Sequence, residues 1–424
     1  MKLQTINLIL LEIIIISLIC KNVLALSFRE AITQAKNQSK ELEIENTRLQ
    51  ILKQEKNFRY TEFLPNIKAS YDYSQRNSYF KDQQYDRSNK QVVKEIRVEQ
   101  PIFDGFASLI KIKQDQHLFN AKKSNVENKT NQVLLILVKT YCELFKYQQI
   151  NKILDYNQQL FKEAEKLFEQ QKSLKYIDNS IFIANKIESE IFWQKFNENK
   201  FKLKKAKRDY QEYFNTQNED LLPPEIDIDT DTISNNNKDK ILQNPLVKSS
   251  FNNYQASIDE YHLKKTSYSP KISVSGVISK QENVVYLNNQ DLSSRGIYLN
   301  LTIPIFQSGG EYLNLINARN KIKLASDELQ QIKNDLLNEL DQAIFDYENL
   351  LNQKKYCENI NELSKNKLGY FRQKYSLNLI DRLTFLKNEV DNNNLLINCI
   401  EINNSSVVAY YKIKSINGEI NEIF

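Results

Sequence analysis

Seven prolines punctuate the chain, and every one falls between periodic segments rather than inside one: Pro65, Pro101, Pro223, Pro224, Pro245, Pro270 and Pro304. A proline within a helix removes a backbone donor and clashes with the preceding turn. Glycine is equally sparse, with 7 in 424 residues. The sequence therefore permits long uninterrupted helices joined at a few fixed junctions.

The junctions repeat. Phe63-Leu64-Pro65-Asn66-Ile67 returns as Tyr268-Ser269-Pro270-Lys271-Ile272, and Gln100-Pro101-Ile102-Phe103-Asp104-Gly105 returns as Ile303-Pro304-Ile305-Phe306-Gln307-Ser308-Gly309-Gly310. Ile177-Asp178 with Phe182 returns as Ile380-Asp381 with Phe385, and 77 positions separate Pro101 from Asp178 as they separate Pro304 from Asp381. Equal spacing in the same order marks an internal duplication. The expected organisation is a first repeat over 26–216 with a β-hairpin at 65–101, an acidic, proline-containing linker over 217–239, and a second repeat over 240–424 with a β-hairpin at 270–304.

After each hairpin the apolar period becomes three to four residues, as in Ile150, Ile153, Leu160, Ala164 and Leu167, and again in Leu329, Ile332, Leu336, Leu340, Ala343, Tyr347 and Leu350. That is an amphipathic helix with a coiled-coil-like seam. About 65 residues at 1.5 Å each give roughly 100 Å, which demands equally long neighbours. Phe28 to Tyr60, Ser180 to Tyr213, Asp239 to Lys265 and Leu383 to Ile416 are the expected helical partners.

The hairpin segments alternate with period two. Ile67, Ala69, Tyr71 and Tyr73 stand against Asn66, Lys68, Ser70 and Asp72, and Ile297, Leu299, Leu301 and Ile303 against Tyr298, Asn300 and Thr302. Such strands, with aromatic residues near their ends, fit an outer-membrane barrel. Four strands cannot close a barrel in lipid, where each unpaired backbone group costs several kcal/mol, so either chains pool strands or the hairpins stay out of the membrane. The polar tips lie at Lys81 to Lys90 and Asn288 to Asp291.

Lys2, the apolar run Leu8 to Ile19 and Val23-Leu24-Ala25 predict a secretory signal peptide over 1–25. A membrane anchor and a lipidated Cys20 are the alternatives. Cys142, Cys357 and Cys399 then remain, odd in number and widely spaced, which argues against a disulfide framework or zinc site and for small buried side chains.

In these motifs the chain resembles the TolC-like outer-membrane efflux family over essentially its whole mature length, through the "FLPNI"-like strand entry, the two strand exits and the helix start Asn244-Pro245-Leu246. The strand-exit residues are Pro101, Phe103, Gly105, Pro304, Phe306, Gly309 and Gly310. The resemblance implies a mainly α fold with transmembrane β. Long α-helical hairpins would form a barrel, and each chain would give four strands to a trimeric 12-strand β-barrel. It further implies a passive export duct in the outer membrane of a Gram-negative bacterium with a large periplasmic part. Its partners would be a periplasmic membrane-fusion adaptor, an inner-membrane RND or ABC transporter and outer-membrane lipid, and its cargo small molecules or secreted proteins.

By the same resemblance the periplasmic entrance lies at Ser173 to Asp178 and Tyr375 to Arg382. Asn378 and Ser173 stand where glycine is usual, and Thr384 and Lys387 where paired aspartates can occur. Asp178, Asp381, Arg382 and Tyr375 are the candidate gate residues, the two aspartates forming a carboxylate ring in a trimer. Either aspartate could equally be the N-cap of the helix that follows.

Nothing points to catalysis or a cofactor. His117 and His262 lie in helical runs, and no nucleophile–base grouping or phosphate loop is present. Asp227-x-Asp229-x-Asp231 lacks the glycine and glutamate of a calcium loop and reads as solvated linker. The net charge of +5 is a small difference between 58 basic and 53 acidic residues, so no nucleic-acid partner is implied. The rival reading from another class is a periplasmic or cell-surface coiled-coil scaffold or adhesin that transports nothing.

Overall fold

The computed structural model describes residues 26–80, 85–216, 220–226, 240–284, 290–306 and 309–424. The expected signal peptide, Cys20, the Asp227–Asp231 run and part of both strand tips lie outside the described residues.

Helices α1 (Phe28–Gln38) and α2 (Lys40–Phe58) lead into β1 (Asn66–Phe80) and β2 (Tyr85–Phe103), followed by α3 (Ala107–Ser173) and α4 (Asn179–Phe214). The second half repeats the order as α5 (Pro245–Lys265), β3 (Lys271–Val284), β4 (Gln290–Thr302), α6 (Gly310–Ser376) and α7 (Arg382–Ile416), and ends in the single turn α8 (Ile420–Ile423). Helices α3 and α6 are each 67 residues long, about 100 Å at 1.5 Å per residue. The expected helix from Phe28 to Tyr60 is instead two, because Ser39 is extended (φ −67°, ψ 112°). At the start of α1 the Ser27 hydroxyl accepts from the Glu30 N–H while the Glu30 carboxylate accepts from the Ser27 N–H at 3.0 Å, a reciprocal capping box.

The four strands form one antiparallel sheet in chain order, leaving β1 and β4 as edges within the chain. Pro101 sits inside β2 opposite Ser273, where the register shifts, whereas β4 stops at Thr302, short of the expected Pro304. Proline cannot donate to the ladder, so inside a strand paired on both sides it is accommodated at a bulge, as at Pro101.

The described residues fold as two compact units, each drawing on both halves of the sequence: those within 1–43, 127–244 and 334–424 form one, and those within 44–126 and 245–333 the other. The first has an aromatic core. Phe28 packs edge-on to Tyr141 (centroids 4.9 Å apart) and against Tyr411 and Phe424, and Tyr141 also meets Tyr210. The Tyr141 hydroxyl donates to the Leu222 carbonyl at 2.8 Å and that of Tyr411 to the Glu225 carbonyl at 2.9 Å, pinning the segment that leads out of the first repeat. Cys142 is free and buried there, and burial pushes its thiol up to about 12. In the second unit Lys122 pairs with Glu45 at 2.6 Å and Arg59 with Asp115 at 2.6 Å, which ties α2 to the start of α3.

The expectation of no disulfide is corrected. Cys357 on α6 and Cys399 on α7 are bridged, with Cα atoms 5.5 Å apart. Their separation of 42 residues hid the contact, because proximity is created by the hairpin and not by spacing along the chain.

Candidate functional site

The two helical hairpins α3–α4 and α6–α7 turn through matching motifs. Lys175 and Asn378 are left-handed (φ 59° and 57°). The Tyr176 N–H reaches back to the Gln171 carbonyl at 2.9 Å, as the Leu379 N–H does to Lys374 at 2.9 Å, while Lys175 donates to Lys172 and Asn378 to Tyr375, both at 3.0 Å. Each is a Schellman motif with a non-glycine residue in the strained position. The residue expected to replace glycine in the first turn, Ser173, is instead the last residue of α3; Lys175 holds that place.

Asp178 and Asp381 both cap the following helix. Asp178 accepts from the Ser180 N–H at 2.7 Å, the Ile181 N–H at 3.0 Å and the Ser180 hydroxyl at 2.6 Å, and Asp381 accepts from the Thr384 N–H at 2.9 Å. The Ser180 hydroxyl, then the two backbone donors, hold the Asp178 carboxyl below its usual range.

Beyond the turns the repeats diverge chemically. Tyr375 stacks on Phe385 with centroids 5.1 Å apart, and the Arg382 guanidinium lies 5.4 Å from both rings. In the first hairpin the equivalent pair is Lys172 over Phe182, at 3.7 Å. Arg382 gives its hydrogen bonds to Glu163 on α3, at 2.7 and 2.8 Å, rather than to Tyr375. That bond raises the Arg382 pKa and lowers that of Glu163. Further along the same α3–α7 contact, the Tyr156 hydroxyl donates to Glu389 at 2.8 Å and the Asn393 amide to the Asn157 side-chain oxygen at 2.6 Å. Three polar layers thus join the two hairpins. Sequence reasoning misses Glu163, Tyr156, Asn157 and Glu389, because nothing local distinguishes them from solvated helix residues.

Asp381 lines a groove of about 500 Å³ whose floor is Phe161, Phe192 and Leu386 and whose wall includes Ile177 and Ile181, next to the Asp178 cap. Among the described residues, no group of three or more His, Cys, Asp or Glu side chains could hold a metal ion.

The strand-exit residues lie at the ends of β2 and β4. The Phe103 ring meets Phe106 edge-on at 5.2 Å. Gly105 (φ +72°) is pressed against the Ser269 side chain, Gly309 (φ +76°) faces open space, and Gly310 opens α6. Pro304 lies just past β4, and Phe306 is 81% exposed.

One face of the sheet carries a run of exposed apolar side chains. The register puts Ile67, Val98, Gly276 and Ile297 in one row and Ala69, Ile96, Ile278 and Arg295 in the next, on a single face. Ile297 is 85% exposed and Leu299 72%. The opposite face is polar: Lys68, Arg97, Glu99 and Asn300 are exposed there, Ser275 and Ser279 are buried, and Ser279 shares a hydrogen bond with Ser294 at 2.7 Å. Among the described residues no helix is long and apolar enough to cross a membrane.

Compared with solved structures, the chain matches the Campylobacter jejuni CmeC outer membrane channel with a TM-score of 0.78 at 15% identity, covering 92% of this chain and 85% of that one. The chain has the TolC-like outer-membrane-factor fold. The outer membrane protein VceC from Vibrio cholerae (TM-score 0.73, 12% identity, 92% and 95% covered) and the open-state MtrE outer membrane channel of Neisseria gonorrhoeae (0.73, 12%, 92% and 89%) are similar in the same way. No family model and no curated protein sequence matches. The outer-membrane-factor fold is thus kept here by a sequence of very different letters, which is why the repeated turn geometry is informative where identity is not.

Proposed function

We propose that this chain is the protomer of a passive outer-membrane conduit for export, in which copies pool their four-stranded sheets into one barrel. The observation that carries the reading is the bare apolar face of the sheet, on which Ile67, Ile297 and Leu299 are all exposed. In water that arrangement wastes apolar burial, whereas in a bilayer it puts Ile67, Ile297 and Leu299 against lipid. The open edges of β1 and β4 require a partner sheet, which a second copy supplies.

A homotrimer with a 12-strand barrel is the assembly we infer. Tyr356, Leu363, Tyr370 and Leu377 recur every seven residues along α6 and its turn and are all exposed, which suits a coiled-coil seam with a neighbouring copy. Asp178 and Asp381 would place six carboxylates near the periplasmic mouth, and the Arg382–Glu163 pair with Tyr375 would act as its latch. A periplasmic adaptor and an inner-membrane RND or ABC pump would drive transport, in the outer membrane of a Gram-negative bacterium.

The test is single-channel conductance of the purified protein in planar bilayers, with oligomer mass measured in the same detergent. Discrete, cation-preferring pores from a trimer are expected. A monomer that never conducts, with a fluorophore at Leu299 insensitive to lipid quenchers, would instead make the chain a scaffold.

A further inference from the structure

The constant offset that takes Pro101 to Pro304 and Asp178 to Asp381 also takes Leu154 to Cys357 and Phe196 to Cys399. In the first hairpin Leu154 and Phe196 are buried in one apolar cluster with Ile150 and Phe192. In the second hairpin the same two positions carry the disulfide, and each cysteine is 2% exposed. One helical pair is therefore held at this level by packing alone and the other by a covalent bond, in hairpins whose turns have matching geometry.

We propose that the Cys357–Cys399 bridge is a redox-set staple that makes α6–α7 the stiff hairpin and leaves α3–α4 the compliant one. The bridge closes the loop that contains the Asn378 turn, Asp381 and Arg382, so that tip cannot splay its two helices apart. A loop of this length removes a large part of the open ensemble, and the effect is largest for motions that separate the bridged helices. Resting on the conduit reading for the role of the turns, the mouth then widens by bending α3–α4 while α6–α7 swings as one body. Formation of the bridge takes two thiols to one disulfide. The two protons and two electrons pass to the disulfide of an oxidising partner, which becomes a dithiol, by exchange through a mixed disulfide. Because both sulfurs are buried, reductants reach them only when the hairpin opens locally.

The experiment is hydrogen–deuterium exchange with mass spectrometry on the full chain in detergent, following residues 155–195 and 358–398, with peptide mapping of the cross-link. In the oxidised protein the second tip is expected to exchange about tenfold or more slowly than it does in the Cys357→Ala/Cys399→Ala variant, while the first tip is unchanged between the two. A second variant, Leu154→Cys/Phe196→Cys, is expected to form a new cross-link and to slow the first tip by a similar factor. Absence of the Cys357–Cys399 peptide from oxidised protein, or identical exchange of the second tip with and without the cysteines, would overturn the proposal. Exchange does not depend on conduction. A protein with the expected exchange pattern that fails to form pores would sink the conduit reading and leave the staple standing.

Discussion

Arg382 grips both carboxylate oxygens of Glu163, at 2.7 and 2.8 Å, although 219 residues separate them. The pair crosses from α7 to α3 beside the hairpin turns, while the same guanidinium covers the stacked rings of Tyr375 and Phe385. Glu163→Gln keeps the side chain's shape and removes its charge. In bilayers it is expected to raise the open fraction or conductance of the pore, with little effect on thermal stability, since half-exposed ion pairs contribute under about 1 kcal/mol after solvent screening. An unchanged conductance trace would remove the pair from the gate.

The same pair sets an acid limit. Arg382 lowers the Glu163 pKa from its ordinary 4.5, so the native state favours the ionised form. Its contribution is present in full above 4.5 and disappears as the pH falls through the lowered native value. Conductance is expected to be flat in this respect from about pH 7 to 5 and to rise below about 4.5, with Glu163→Gln showing no such rise.

The caps separate structure from charge. Asp178→Asn and Asp381→Asn retain a capping oxygen and lose the carboxylate. They are expected to fold as the parent does while cation preference falls. Asp381→Ala loses both, and costs about 1 kcal/mol in denaturant titration. A cation preference equal to the parent's in the double Asn variant would leave the aspartates as caps alone.

Asn157 and Asn393 meet in a buried bond of 2.6 Å. Asn393→Leu leaves the Asn157 side-chain oxygen buried without that donor and should cost about 1–3 kcal/mol. Replacing both by Leu should recover part of that loss, read as a positive coupling in a double-mutant cycle of melting data.

Three glycines of the strand exits should behave unlike one another. Gly105→Ala combines a left-handed backbone with a collision against Ser269, and is expected to destabilise by well over about 1 kcal/mol. Gly309→Ala suffers only the backbone strain, about 1 kcal/mol, and Gly310→Ala, with open space around it, is expected to be neutral or stabilising. Melting of the detergent-solubilised protein distinguishes the three.

Legibility followed the range of the forces involved. The prolines, the period-two runs around Ile67 and Leu299, and the equal spacing to Asp178 and Asp381 are local signals, and the helices, the strands and both capped turns follow from them. The aspartates' place at helix starts was legible for the same reason, since a cap depends on the next three residues. Glu163, Tyr156 and the Cys357–Cys399 bridge were not, because each acquires its meaning from a residue brought alongside by antiparallel packing. Lys175 in the left-handed position was hidden by a different cause: the Schellman hydrogen bonds of the turn outweigh the residue's own preference, which points elsewhere.

Tyr141 and Tyr411 hold the stretch between Leu222 and Glu225 by its carbonyl oxygens. A carbonyl is present whatever residue bears it, so the anchorage does not read the letters it secures. Mutation can rewrite this seam between the two halves freely while its course stays the same, which makes it tolerant ground for neutral drift and a suitable place to introduce a foreign peptide label.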